Sequence, residues 1–421
     1  MLLIKNGRLL EPQSKTDALV DVLIDGERIS KIGPSLAAPD TEAFDASGLI
    51  VAPGFIDLHC HLREPGQEIS ETIETGTLAA ARGGFTAVCC MPNTQPVNDR
   101  ASVTLGILER AAAVGSTRVW PIGAASLGSK GEALAEIAAM KDAGIVAVSD
   151  DGKPVATARL MRQVMDYCRD LDLPVIDHCE EPSLAVGGVM REGTRSMRLG
   201  LKGIPPQSES ICAGRDVEVA GLTGGRLHIA HLSTRGSLDY VRAAKKLGLR
   251  VTCEVTPHHF TLLDEDVRYD TNYKMNPPLA AREDRDELIK GLADGSVDAI
   301  ATDHAPHHPA SKDVEFDRAP FGITGFETAI ALGLSELVHT GRISLMRLVE
   351  LFTTGPARVL GIDRKVAPGE LADLTIFSAD HPWTFRAGES PSKSRNTPFD
   401  GRTFKGGPMA TVVAGRIVFR R

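Results

Sequence analysis

His59 and His61 stand two residues apart in the run Gly54-Phe-Ile-Asp-Leu-His-Cys-His-Leu-Arg-Glu-Pro-Gly66, at the end of the apolar stretch Leu49 to Ile56. Such a stretch reads as a buried strand, and strand side chains repeat with period two. Both imidazoles therefore leave one face a few ångströms apart, where they can share a divalent ion, since imidazole suits zinc and other late first-row metals. Two histidines at a strand end can also be a plain hydrogen-bonded pair. That reading weakens here because further His and Asp residues recur at equivalent points along the chain.

The elements that must position them are eight short apolar runs, each followed by polar residues and in most cases by a helix-like stretch. They are Val51 to Ile56, Phe85 to Met91, Arg118 to Ala125, Ile145 to Val148, Leu173 to Ile176, Arg226 to Ala230, Arg250 to Val255 and Val297 to Ala301. Helical segments such as Thr72 to Arg82, Ala101 to Val114, Thr157 to Asp170 and Gly236 to Leu247 alternate with them, which argues for repeated β-α units. The expected fold is a (β/α)₈ TIM barrel, distorted in places, whose active site lies at the C-terminal strand ends. The polar residues fall there. His59 and His61 follow the first run, Asn93 the second, Asp150 and Asp151 the fourth, His178 the fifth, His231 the sixth, His258 and His259 the seventh and Asp303 the eighth.

This set can hold two metal ions, one on His59 and His61 and one on His178 and His231. A carboxylate has an oxygen for each ion and can bridge them. Asp150 and Asp151 both stand at the right strand end, but neighbouring strand residues face opposite ways, so spacing leaves the choice between them open. Water between two such ions is acidified to a nucleophile near neutral pH. Asp303, in Ala301-Thr-Asp-His-Ala-Pro-His307, is the natural general base.

The chain has 421 residues, 42% hydrophobic and 24% charged, within the range of ordinary globular proteins and long enough for one large barrel with an appendage. A net charge of -8 argues against nucleic acid or an anionic membrane as partner, since both need a basic face. Seven cysteines scattered through strand-like segments form no disulfide framework and fit a reducing compartment. Met1-Leu-Leu-Ile-Lys-Asn-Gly7 lacks a long apolar region and a cleavage site, and the expected location is the cytoplasm. Short strands with a hairpin signal at Asp25-Gly26, and another around Ala414-Gly415, point to a β-sandwich built from both termini. The expected division is 1–52 with 366–421 for the sandwich and 53–365 for the barrel. Segments 308–320 and 378–408 read as long loops.

Seven motifs carry a resemblance over essentially the whole chain. They are Asp57-x-His-x-His-x-Arg-x-Pro-Gly66, Met91-Pro-Asn-Thr94, Ser149-Asp-Asp-Gly152, Asp177-His-Cys-Glu180, His231-Leu-Ser233, Lys274-Met-Asn-Pro-Pro-Leu279 and Ala301-Thr-Asp-His-Ala-Pro-His307. In order and together they resemble the class I bacterial dihydroorotases of the amidohydrolase superfamily. The resemblance implies reversible, zinc-dependent interconversion of N-carbamoyl-L-aspartate and L-dihydroorotate in de novo pyrimidine synthesis. It implies His59, His61, Asp151, His178 and His231 as ligands of one or two zinc ions per subunit, two being the expected count, with Asp303 as acid and base. Many relatives bridge their metals with a carboxylated lysine at the fourth strand end. This chain has an aspartate there, as class I does, and Lys153 falls just past the bridging position.

On the substrate side, Arg63 is two residues past His61 on the same alternation, and a guanidinium fork suits the dihydroorotate carboxylate. Asn93, Asn276, His307 and the backbone around Phe321-Gly322 match positions that line the family's substrate site. Asp57, His258, His259, His304 and His308 read as packing or supporting groups, and Glu180 and Glu254 as pocket neighbours without an assigned job. A homodimer and an association with aspartate transcarbamoylase are the partners this family suggests, beside the small-molecule substrate. Two other readings stay within reach of the resemblance. One is an allantoinase or hydantoinase, disfavoured by Arg63 and the missing lysine. The other is an inactive scaffold for the transcarbamoylase, disfavoured by the complete histidine set and Asp303.

Overall fold

Phe55–Cys60, Phe85–Cys90, Arg118–Ala124, Ala147–Ser149, Pro174–Asp177, Arg226–Ile229, Val251–Val255 and Ala299–Ile300 are short, largely buried strands that pair in chain order as one parallel eight-stranded sheet. This is the expected barrel, seen in a computed structural model that describes residues 1–39 and 41–421. Strands covered on both faces read as near-continuous apolar runs, which is why they stood out without alternation. Three of the helices around them, Ile73–Arg82, Ala158–Asp170 and Arg235–Lys246, start at Thr72, Thr157 and Thr234, whose side chains each accept a hydrogen bond from the backbone N–H three residues on. The distortion sits in the fourth and eighth strands, which are only three and two residues long.

The first expected run is divided between two modules. Ile50–Pro53 belongs to the sheet of the termini, Gly54 turns the chain with its N–H on the Asp373 carbonyl (2.9 Å), and the barrel strand begins at Phe55. That other sheet also has eight strands, mostly antiparallel, drawn from residues 2–53 and 374–420. Leu2, Ile4 and Ile24 from one end of the chain meet Leu374, Ile376 and Val412 from the other in an apolar core of their own. Both hairpin signals are borne out. Gly26 has φ 59°, and Ala414 and Gly415 have φ 48° and 74°.

The expected loop at 378–408 is in part wrong. Leu374–Thr384 and Thr403–Val413 form a long antiparallel pair, broken by a register shift between Ser378 and Pro382. Pro, Asp and His at that shift give the sequence a loop-like texture, while Trp383 still pairs with Phe404. The segment 387–397 beyond it does run without strands, apart from one short helical turn at Ala387–Glu389.

Closure between the first and eighth strands does not come from a regular ladder. Cys60 and His304 make a parallel bridge, and His61 N–H reaches the His304 carbonyl at 2.9 Å. Below them the carboxylate of Asp57 takes the place of a ladder partner. It accepts the Thr302 N–H at 2.7 Å on one oxygen and the Thr302 hydroxyl at 2.6 Å on the other. Burial pushes the Asp57 carboxyl up to about 7 despite those bonds. Asp57→Ala leaves two buried donors without a partner, and we predict a loss of about 2–4 kcal/mol in unfolding free energy. Chemical denaturation checks this, and an unchanged midpoint would mean that the Cys60–His304 pairing closes the barrel alone.

Candidate metal centre

Every expected ligand, and the expected general base Asp303, stands at the C-terminal end of a barrel strand. His59 and His61 end the first strand, Asp151 follows the fourth, His178 the fifth, His231 the sixth and Asp303 the eighth. The period-two expectation holds, with the His59 and His61 ring centroids 5.5 Å apart. At these strand ends three groups of possible ligand atoms each lie within 4.8 Å of one another, namely His59, His61 and Asp151; Asp151, His178 and His231; and His59, His231 and Asp303. Asp151 joins the first two groups. One of its oxygens is 3.2 Å from His59 Nε2, 3.7 Å from His231 Nε2 and 3.9 Å from His178 Nδ1, and the other is 3.5 Å from His61 Nε2.

Asp150 does something else. Its carboxylate accepts the backbone N–H of Ala125 and Ser126, each at 3.0 Å, and the Ser126 hydroxyl at 2.5 Å, tying down the loop after the third strand. The geometry thus turns Asp151, and not Asp150, towards the histidines. Lys153 points away, with Nζ 3.4 Å from the Ser129 carbonyl.

Several of these atoms are buried with nothing to bond. His59 Nε2, His231 Nδ1 and Asp151 Oδ1 have no hydrogen-bond partner, a costly state that a bound cation would relieve at His59 and Asp151. The opposite side of three of the rings is held. His59 Nδ1 is 3.2 Å from Glu254, His61 Nδ1 is 2.9 Å from Asn93 Oδ1, and His178 Nε2 is 3.2 Å from Asn276 Nδ2. Glu254 and Asn93 Oδ1 accept Nδ1–H of His59 and His61 and so leave Nε2 of those two rings free for a metal, while Asn276 Nδ2–H donates to His178 Nε2 and fixes the orientation of that ring. Burial opposes a charge on His59, but the Asp151 and Asp303 carboxylates outweigh it and hold the ring above its ordinary value. Burial also opposes charge on Asp151 and Asp303, yet the facing imidazoles hold both below the usual carboxylate range. His231 is lowered by burial and stays neutral at neutral pH. The donor set therefore fits divalent metal in type and charge.

A cavity of about 320 Å³ opens over this cluster, and Arg63, Asn93, Asn276, His307, Phe321 and Gly322 all line it. Arg63 is buried, and among the described residues no carboxylate is near enough for an ion pair; its Nε–H goes to the Pro306 carbonyl at 3.1 Å. Burial lowers its guanidinium to about 10, so the charge persists at neutral pH. His307 is lowered to about 3 by burial and by Arg63, and its ring nitrogen Nε2 donates to the Phe321 carbonyl at 2.7 Å. That donor is therefore already engaged. Asn93 and Asn276 likewise have a hold on the histidines beside their place on the wall. Among the described residues, three of the nine non-glycine residues with positive φ belong to this site, Arg63 at 61°, His231 at 32° and Asp303 at 43°. Such backbone costs about 1–3 kcal/mol per residue and gathers where function over-determines the geometry.

Reading the sequence missed the job of Glu254. It is fully buried, bonds His59 on one oxygen and His228 on the other (3.1 Å), and is held down to about 2 because those imidazoles outweigh its burial. A signal existed, since a charged residue inside the apolar run Arg250 to Val255 is rarely buried unless paired.

Residues 48–237 match the Dihydro-orotase-like family model. The chain is 54% identical over 422 residues to a dihydroorotase of Solibacter usitatus (strain Ellin6076), spanning 100% of this chain and 98% of the relative. It is 49% identical over 423 residues to a dihydroorotase of Geobacter metallireducens (strain ATCC 53774 / DSM 7210 / GS-15), spanning all of both. Among solved structures, L-hydantoinase (dihydropyrimidinase) from Arthrobacter aurescens superposes with a TM-score of 0.89 at 23% identity, covering 100% of this chain and 96% of that one. A D-hydantoinase from a Bacillus sp. gives 0.85 at 23%, over 100% and 95%. At those identities the likeness speaks for the barrel and its appended sheet alone. The full-length sequence relatives speak for more, and by them the chain belongs to the dihydroorotase family.

Proposed function

We propose that this protein is a zinc-dependent dihydroorotase that interconverts N-carbamoyl-L-aspartate and L-dihydroorotate, a step of de novo pyrimidine synthesis. The observation that carries the reading beyond family membership is Arg63, a buried guanidinium with no acidic partner among the described residues, on the wall of the cavity that holds the histidine and aspartate cluster. A cyclic amide bearing a carboxylate meets both needs at once. Hydantoin and allantoin lack that carboxylate.

Two zinc ions on His59, His61, Asp151, His178 and His231 would supply Lewis acidity and an acidified water. The chain's own groups do the rest. Arg63 holds the substrate carboxylate as a fork, and the wall at Phe321 and Gly322 limits how the ring can lie. Asp303 Oδ1, 3.1 Å from His61 Nε2, takes the proton of the attacking water and returns it to the ring nitrogen as the C–N bond breaks. Ring closure runs the same transfers backwards. Its depressed acidity range keeps Asp303 ionised, and so ready to accept, at neutral pH.

The seven cysteines are all free and buried, which agrees with a reducing, cytoplasmic location. Among the described residues no helix is long and apolar enough to cross a membrane. A homodimer and an association with aspartate transcarbamoylase complete the reading and rest on the family resemblance.

Purified protein loaded with zinc is expected to interconvert dihydroorotate and carbamoyl aspartate, to lose that activity on chelation and to recover it with zinc. Turnover of hydantoin or allantoin without dihydroorotate would overturn the proposal. Asp303→Ala should keep its metal, measured by elemental analysis, and lose turnover by at least ~10²-fold, the usual contribution of a proton carrier. Unchanged turnover would remove Asp303 from the chemistry. Arg63→Lys keeps the charge and loses the fork, so KM for dihydroorotate should rise about tenfold with the metal content unchanged; metal loss in step with KM would make Arg63 structural.

A further inference from the structure

The residues opposite Arg63 are held in part by one another, His307 Nε2–H donating to the Phe321 carbonyl at 2.7 Å and Ala305 N–H to the Ile323 carbonyl at 3.0 Å, and in part from outside. Ala305, Pro306 and His307 follow the eighth strand, and Phe321 and Gly322 return beside them after an intervening loop. The two stretches touch closely. A Cβ on Gly322, whose φ is 149°, would stand 2.7 Å from the Ala305 carbonyl oxygen and 2.8 Å from His307 Cδ2. Joining them is Asn396, an asparagine only 3% exposed, contributed by the C-terminal segment that lies outside the barrel.

Its amide is nearly saturated. Nδ2 donates to the Ala305 carbonyl at 2.9 Å and to the Gly322 carbonyl at 3.0 Å, while Oδ1 accepts the His307 N–H at 3.0 Å. Its backbone carbonyl accepts the Thr324 N–H at 2.9 Å. Two donors meet two carbonyls and the acceptor meets an N–H, so this network fixes which way the amide faces. Between the bonded residues lies Pro306, whose carbonyl receives Arg63 Nε–H. The same segment is anchored upstream. The Ser392 hydroxyl and the Lys393 N–H donate to the two oxygens of the Glu71 carboxylate, the Ser394 hydroxyl donates to the Ser70 carbonyl at 2.7 Å, and the Glu71 oxygen that takes Ser392 also lies 3.3 Å from Nε2 of His304, next to Asp303.

We infer that Asn396 is a positioning residue for substrate. Through Ala305, His307 and Gly322 it sets the distance between the Arg63 fork and the facing backbone, and hence the seat of the substrate carboxylate. The inference rests on the dihydroorotase reading. It makes the C-terminal segment part of the active site and not only part of the appended sheet.

Asn396→Asp is the sharpest variant, because the carboxylate can still accept the His307 N–H but turns an oxygen towards two carbonyl oxygens. The full-length, zinc-loaded protein should keep its metal content and show KM for dihydroorotate raised on the order of tenfold or more, with kcat falling less, since a misplacement of about 1 Å costs up to ~10²-fold. Asn396→Ser, which removes both amide N–H donors and shortens the side chain without adding charge, should shift the same split in the same direction, and it decides the matter if the aspartate variant does not fold. A folded, metal-loaded variant with wild-type KM overturns the inference. So does a variant whose melting temperature, metal content and kcat fall together while KM stays put, because that is a purely structural weld. Failure of the underlying reading looks different, as the wild-type protein would then not turn over dihydroorotate at all.

Discussion

Asp151 and Asp303 bury two carboxylates within 3.5 Å of His59 and His61, with no lysine or arginine of the protein paired to either. Taking such charges out of water costs on the order of several kcal/mol per ion unless something positive comes with them. Protonated histidine is a partial answer, and it is the one the isolated chain is pushed towards at His59. A divalent ion is a better one, because it satisfies the carboxylates while leaving the imidazoles neutral as ligands. His59 Nε2 and Asp151 Oδ1, buried without a hydrogen-bond partner, are the atoms such an ion would engage.

Around that deficit the barrel is built to resist relaxation. Glu254, Asn93 and Asn276 grip the far sides of three rings, so the histidines cannot turn away to find other partners. Asp303 is kept at a positive φ between two clamped neighbours. Thr302 is bonded twice to Asp57, and His304 is held by Glu71 and stacked on Phe326 with ring centroids 4.1 Å apart. The same Asp57 closes the seam between the first and eighth strands. Barrel closure and the strained backbone of the proton carrier are thereby one arrangement, as expected where local strain serves a site.

Much of this could be read directly from the chain. The eight strand positions were legible because strands buried on both faces must be apolar, and the ligands because they sit where those runs stop. The failures are equally physical. The run from Val51 to Ile56 serves two sheets, and hydrophobicity does not say which sheet a strand joins. Of the strand pair Leu374–Thr384 and Thr403–Val413, the stretches 378–384 and 403–408 were read as loop because a bulge carries Pro, Asp and His into the pair. Arg63 was visible by its spacing from His61, whereas its lack of an acidic partner was not.

His59, His61 and the strand-end register of the remaining ligands follow from the sequence by itself, since side-chain alternation and the end of an apolar run are properties of neighbouring residues. Whether Asp150 or Asp151 faces the metal did not follow, because the answer depends on where the loop at Ala125 and Ser126 packs. Nor did the partnership of Glu254 with His59, 195 residues apart, or the hold of Asn396 on His307 and Gly322 from a segment outside the barrel. Those contacts join stretches with no local pattern in common, and only the closed barrel with the C-terminal segment laid across its mouth brings them within hydrogen-bonding distance.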